Sequence, residues 1–345
     1  MESITIKDVA RLCGVGVTTV SRAMNDHPDI NQETKEKIMK VIKEYNYVPN
    51  NSARNLKRSD ARTIAVLIKG IGNPFFSKMI KIFEQEIQKK KYSFVLQHVD
   101  DKQDEIDVAI QLEKEKRLNG IVFLGGFFSH SEEKLKQLPV PFVISTVGLI
   151  DSIDKKGYSS VSVDDVKESY KMTDHLIKNG HKRIALLSAC EEDESIGRLR
   201  LEGYKRALQD HGIESDPSLI RPMRDDLDGY TMENGYAVTK ELLESGVPFT
   251  AIYAISDSVA IGACRALRDA GKKIPADYSV AGFDGLDIAA FYYPALTTIR
   301  QPVEEMAEAT IKILFDVIRK KTATRHRIFE GELVQAESVK TIKGN

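Results

Sequence analysis

The chain has 345 residues, 42% of them hydrophobic and 29% charged, with a formal net charge of −1 and three cysteines. No secretory leader, no apolar run long enough to cross a bilayer and no low-complexity tract is present, so a cytoplasmic protein is expected. Cys13, Cys190 and Cys264 lie far apart without metal-ligand spacing and read as reduced core residues.

From the N-terminus, Thr5 and Asp8 form a capping box that starts a helix near Ile6. Ile6, Val9, Ala10 and Cys13 recur at helical spacing, and Gly14 ends the helix and turns the chain. A second helix is predicted from about Val17 to Asn25. Val20, Ala23 and Met24 share the apolar side, leaving Val17, Thr18, Ser21, Arg22 and Asn25 on an outer face with Thr19 beside them. Ile30 and Asn31 staple and cap a third helix, whose Ile38, Val41, Ile42 and Tyr45 close a small core before Asn46 and Pro49. Such a helix pair places its second member in the major groove of DNA, although any three-helix unit shows a comparable packing stripe. Residues 1–60 carry +2 and the remainder −3, an asymmetry too modest to identify DNA alone.

Tyr47 to Arg58 reads YVPNNSARNLKR. Residues 50–57 are too few for a stable isolated helix, so either a partner stabilises them or 49–60 is a flexible linker. After Arg62, apolar runs at 63–68, 93–99, 120–124, 141–147, 183–189, 250–255 and 278–283 alternate with helical stretches. That is the pattern of two α/β lobes with doubly wound parallel sheets.

Open α/β sheets bind ligands beyond the carboxyl ends of their strands. The residues there are Asn73, Phe75 and Phe76 after the first run, Phe127 after the third, and Ser145 at the end of the next. From the later runs come Asp164, Asp165, Arg198, Tyr230, Ser256, Asp257 and Asp284. Carboxylates and a guanidinium suit the vicinal hydroxyls of a sugar, and aromatic rings suit its apolar face. Phe75 and Phe76 can equally fill the core, Tyr230 can cover a surface, either of Asp164 and Asp165 can point inward, and Asp257 can cap a helix starting at Ser258.

An enzyme finds little support. GVGVTT lies between helices rather than after a strand, AGKKIP lacks the glycine and hydroxyl of a P-loop, no HExxH occurs and no serine sits in a G-x-S-x-G elbow. No cofactor or metal is expected. A periplasmic solute-binding protein would need a secretory signal in place of the N-terminal helices.

IKDVARLCGV, TVSRAMN, YNYVPN and ARNL resemble the lactose-repressor family of bacterial transcription regulators, and the likeness continues through GHKRIALLSA, RLRLEGYKRAL, AISDSVAIGACRAL, SVAGFDGLD and PALTTIRQP. Gly16 departs from the serine or alanine usual at that position, which removes a side-chain phosphate contact. The resemblance implies a helix-turn-helix headpiece (1–48), a hinge helix and linker (49–60), and an effector and dimerisation domain (61–345) of two lobes. One lobe would comprise 61–161 with 292–322, the other 162–291 with 323–340. It also implies that paired hinges enter the minor groove of a pseudo-palindromic operator, with Leu56 wedging between base pairs and Asn50, Ala53, Arg54 and Lys57 beside it. Arg198 and Asp284 would hold an effector, most simply a sugar, with a purine or sugar phosphate as alternatives. The expected protein is a repressor of carbohydrate genes. The tail after Leu333 lacks leucine heptads, which favours a homodimer.

Overall fold

The computed structural model describes residues 5–24, 27–45, 62–100, 103–126, 132–148, 154–188, 196–320 and 324–342. The chain divides into two compact units, Met1–Ala61 and Arg62–Asn345.

The first unit contains α1 (Ile6–Cys13), α2 (Val17–Met24) and α3 (Gln32–Glu44). Thr5 and Asp8 form the reciprocal capping box, and Gly14 closes α1 in the left-handed region at φ 66°. Val9, Ala10, Cys13, Val20, Ala23 and Ile38 make the buried core, with Val41, Ile42, Ile30 and Met24 packed against it. Tyr45 departs from expectation. It lies one residue beyond α3 and is 47% exposed, so it does not close that core. The expected contacts at Asn25, Asn50, Ala53, Arg54, Leu56 and Lys57 lie outside the described residues.

The second unit is α/β. Its first lobe is a six-stranded parallel sheet in the order β11-β5-β4-β3-β1-β2. The strands are β1 (Thr63–Ile68), β2 (Ser93–His98), β3 (Gly120–Leu124), β4 (Phe142–Ser145), β5 (Ser159–Val163) and β11 (His326–Phe329). Alternation sorts the side chains. Ile64, Val66, Ile68, Val122, Leu124 and Val143 face the helices Phe75–Lys89 and Val303–Ile318. Ala65, Leu67, Ile121, Phe123 and Ile144 face the helix Glu105–Lys116.

A second parallel sheet, ordered β7-β6-β8-β9, builds the other lobe from β6 (Ile184–Ser188), β7 (Ile220–Pro222), β8 (Ala251–Ala254) and β9 (Ser279–Ala281). Helices Asp165–Lys178 and Ile196–Asp210 cover one face, and Met232–Glu244 and Asp257–Asp269 the other. Gly203 lets the first two approach: a Cβ there would sit 2.2 Å from the carbonyl oxygen of Val166.

The chain crosses between the lobes after β5, after β10 (Thr298–Arg300), and between β11 and β12 (Glu332–Val334), and β10 pairs with β12 across these crossings. Two expected boundaries are corrected here. Residues 326–329 do not belong to the second lobe, because β11 pairs in parallel with β5. The segment from 295 to 298 stays with the second lobe, since Thr297 binds Gly282 and Ser338 while Ser338 binds Val280. Of the described residues in 292–322, the helix Val303–Ile318 returns to the first.

Candidate effector site and DNA-facing helix

On α2, Val17, Thr18 and Arg22 are exposed and Thr19 and Ser21 half-buried, while Val20 and Ala23 face the core. Gly16 accepts the first backbone bonds of the helix, from Thr19 and Val20. The Thr5 hydroxyl is engaged by its own cap, donating to the Asp8 carboxylate at 2.6 Å. The face that remains is short and polar, with one long cation.

In the second unit, the polar side chains beyond the strand ends converge on a residue that the sequence reading passed over. Arg198 is exposed, whereas Arg200, two positions on, is 2% exposed. Two residues on a helix project about 200° apart, so the pair cannot share a face. Arg200 takes the inward one with Gly197, Leu201, Tyr204 and Leu208. Its Nε donates to Asp165 at 2.8 Å, its Nη1 donates to the Ile255 carbonyl and lies 3.6 Å from Asp284, and its guanidinium stacks 3.6 Å above the Phe283 ring. Burial opposes its charge, yet Asp165 and Asp284 outweigh that and raise its pKa.

Asp165 and not Asp164 is therefore the inward carboxylate. Asp164 caps the helix, accepting from the Lys167 amide at 3.0 Å. Burial drives the Asp165 pKa upward against the pull of Arg200. Asp284 sits at φ 111° and accepts from the Gln301 carboxamide at 2.9 Å. Burial pushes its carboxyl up to about 6, against Arg200, Gln301 and the Asn73 side chain, which reaches it from the first lobe. The second oxygen, Oδ2, is buried without a well-formed hydrogen bond among the described residues. Tyr230, half-buried at φ 58°, is close enough to Arg200 to bias its charge.

Other candidates serve the frame. Phe75 and Phe76 are 4% and 7% exposed and meet edge to face at 5.5 Å inside the first-lobe core. Ser145 turns to the helix beneath, its hydroxyl 3.1 Å from that of Thr310. Ser256, not Asp257, caps the helix Asp257–Asp269, accepting from the Val259 amide at 3.3 Å. Asp257 instead ties the crossing together, accepting from the Thr298 hydroxyl at 2.6 Å and the Leu286 amide at 2.7 Å. Burial, then the neighbouring Asp284, raises its pKa to about 8. Phe127 lies outside the described residues. In the first lobe Lys69 and Glu105 form a second buried pair at 3.0 Å.

The chemistry of this arrangement is that of a polar clasp. One guanidinium shared by two carboxylates, with carboxamides from either lobe, can exchange its internal bonds for those of a hydroxyl-rich molecule. The described residues hold no group of three or more metal-ligating side chains, and no helix among them is long and apolar enough to cross a membrane.

Comparison with known proteins finds two family models in this chain. The family model for bacterial regulatory proteins of the lacI family matches residues 5–50, and that for the periplasmic binding protein-like domain matches residues 173–339. The HTH-type transcriptional regulator MalR of Clostridium butyricum is 40% identical over 338 residues, covering 97% of this chain and 99% of its own. Among solved structures, the transcriptional regulator CelR–cellobiose complex is 28% identical with a TM-score of 0.71, covering 97% of this chain and 99% of its own. A LacI family transcriptional regulator from Enterococcus faecium with bound ribose is also 28% identical, with a TM-score of 0.70 over 81% of this chain and all of its own.

Proposed function

Because the chain belongs to the lacI family of bacterial regulatory proteins, and so is a DNA-binding transcription regulator rather than an enzyme, we propose that it represses carbohydrate genes under the control of a neutral sugar held between its lobes. The observation that carries this reading is the charge balance around Arg200. Its single positive charge is already divided between Asp165 and Asp284, and Lys69 is matched by Glu105. A phosphate or carboxylate placed there would face two buried carboxylates without a spare cation among these groups, at a steep cost in a low-dielectric site. Hydroxyls carry no such penalty, since they donate to Asp284 Oδ2 and accept from Arg200. Cellobiose and ribose in the two related structures are ligands of this kind.

Signal passes through lobe geometry in this reading. Asn73 belongs to the first lobe and Asp284 to the second, so a ligand that replaces their contact changes how the lobes close. Two copies would dimerise through the exposed apolar group Ile288, Phe291 and Tyr293, of which Phe291 is 89% and Tyr293 80% exposed. That symmetry presents two α2 helices to a pseudo-palindromic operator. The hinge reading for Asn50 to Lys57, with Leu56 as a minor-groove wedge, belongs to the same proposal. A thermal-shift panel tests the ligand class: a ligand at about 100 times its Kd stabilises by about 2.7 kcal/mol. Neutral mono- and disaccharides are expected to raise the melting temperature. A response confined to phosphosugars or nucleosides would replace the neutral-sugar reading.

A further inference from the structure

We propose that the open edge of β11 is a docking strip for an extended acidic segment of another protein, which adds to the first-lobe sheet as a further strand. β11 is the terminal strand of its sheet and pairs only with β5; no described strand lies on its other side. An open edge offers main-chain hydrogen-bonding groups to another chain, and the four residues of β11 present such an edge to a short extended partner. The strand is held in place for that role. His326 is fixed through Nδ1 to the Ser160 hydroxyl at 2.9 Å and through Nε2 to the Lys155 carbonyl at 2.7 Å, and its ring meets Tyr158 edge to face.

Two hollows flank the edge, and Arg327 lines both. One, of about 250 Å³, is bounded by Lys312, Ile313, Arg325 and Arg327. The other, of about 460 Å³, is bounded by Asp164, Lys167, Ile328, Phe329 and Glu330. Their charges differ. Among the described residues Lys312 and Arg327 have no carboxylate partner, and Arg325 reaches only Asp316 at 3.7 Å; Arg327 rests its guanidinium 4.5 Å from the Phe329 ring. The second hollow, by contrast, is balanced: Lys167 is paired with Glu330, and Asp164 stands against Arg327 in charge, so the net cationic side is the one beside Lys312, Arg325 and Arg327. The strip is therefore cationic beside Arg325 and Arg327 and apolar beside Ile328, which is 53% exposed. Arg325 and Arg327 share one face of the strand and Ile328 lies on the opposite one, so the pattern selects a partner by charge on one face and by an apolar side chain on the other, with the backbone supplying the rest.

The test uses the full chain and two labelled octapeptides, one alternating glutamate and valine, the other lysine and valine, with an N-methylated acidic control that cannot pair as a strand. Anisotropy reports binding, and hydrogen exchange reports the amides of residues 326–329. The acidic peptide is expected to bind and slow exchange there, while the lysine peptide and the N-methylated control do neither. The double variant Arg325→Glu, Arg327→Glu is expected to lose at least about tenfold in affinity for the acidic peptide and gain it for the lysine peptide, with unchanged melting temperature and operator affinity. Equal binding of the two peptides, or binding without slowed exchange at 326–329, would overturn the proposal. Slowing that rises with the chain's own concentration in the absence of peptide would also overturn it, by assigning the edge to a second copy.

Discussion

Replacing Arg200 separates the effects of charge and volume at the centre of the clasp. Its guanidinium is the shared partner of Asp165 at 2.8 Å and Asp284 at 3.6 Å, and all three side chains are 2–3% exposed. Removing one member of a buried ion pair costs about 3–5 kcal/mol, because the remaining charge is left uncompensated. Arg200→Met keeps most of the volume above Phe283 and isolates the charge. At pH 8 it is expected to destabilise the second unit by that amount in urea unfolding. The two carboxylates, already raised in pKa by burial, then lose the cation that holds them down, so the folded state binds their protons more tightly still. Stability should therefore recover as the pH falls from 8 toward 5, a direction opposite to ordinary acid unfolding. Arg198→Ala, at an exposed site, should stay within about 0.5 kcal/mol at either pH. An Arg200→Met cost no greater than that of Arg198→Ala at pH 8, or a cost independent of pH, would show that Arg200 does not hold two buried carboxylates.

Asp257 provides a second pH handle: its carboxyl sits at about 8 in the fold against an ordinary 3.8, so the folded chain keeps a proton that the unfolded chain has lost. Its contribution to stability declines as pH rises from about 4 to 8, and in urea titrations across that range Asp257→Asn should start less stable than the parent and close the gap with rising pH. Gly203→Ala forces a methyl to within 2.2 Å of the Val166 carbonyl oxygen; a loss of about 1–3 kcal/mol or more is expected by denaturation, and an unchanged midpoint would show that the two helices separate freely. Arg22→Ala should weaken operator binding by about 1–3 kcal/mol and random duplex far less, as read by competition anisotropy, because an exposed cation on α2 has the reach to pair with guanine.

The apolar strands were readable because a strand buried on both faces is a continuous hydrophobic run: β1, β3, β6 and β8 need nothing else. β5 was not, since SSVSV looks polar until its partners are known. Ser160 is matched to His326 and Ser159 to the Arg325 amide, both some 166 residues away in the chain. β11 depends on the same long-range pairing, and without it nothing in HRIF assigns the segment to the first lobe. Arg200, however, was within reach. Gly197, Leu201, Tyr204 and Leu208 mark the buried stripe of that helix, and an arginine in phase with such a stripe is a buried cation in want of carboxylates. Arg198, two positions earlier, is out of phase with that stripe and is exposed. Asp164 against Asp165 turns on where the helix begins, and a shift of one residue decides which carboxylate caps and which points inward.

The most direct test is a reciprocal titration on the purified 345-residue chain. An operator selected by the chain from random duplex is titrated with and without the sugar found in the thermal-shift panel, and the sugar is titrated with and without operator. Each ligand is expected to change the other's Kd by one common factor, and Asp284→Asn, which removes one carboxylate of the clasp with little change of shape, is expected to abolish that factor while leaving sugar-free operator binding measurable. A sugar that binds tightly yet leaves operator affinity unchanged, or a normal response in Asp284→Asn, would contradict it.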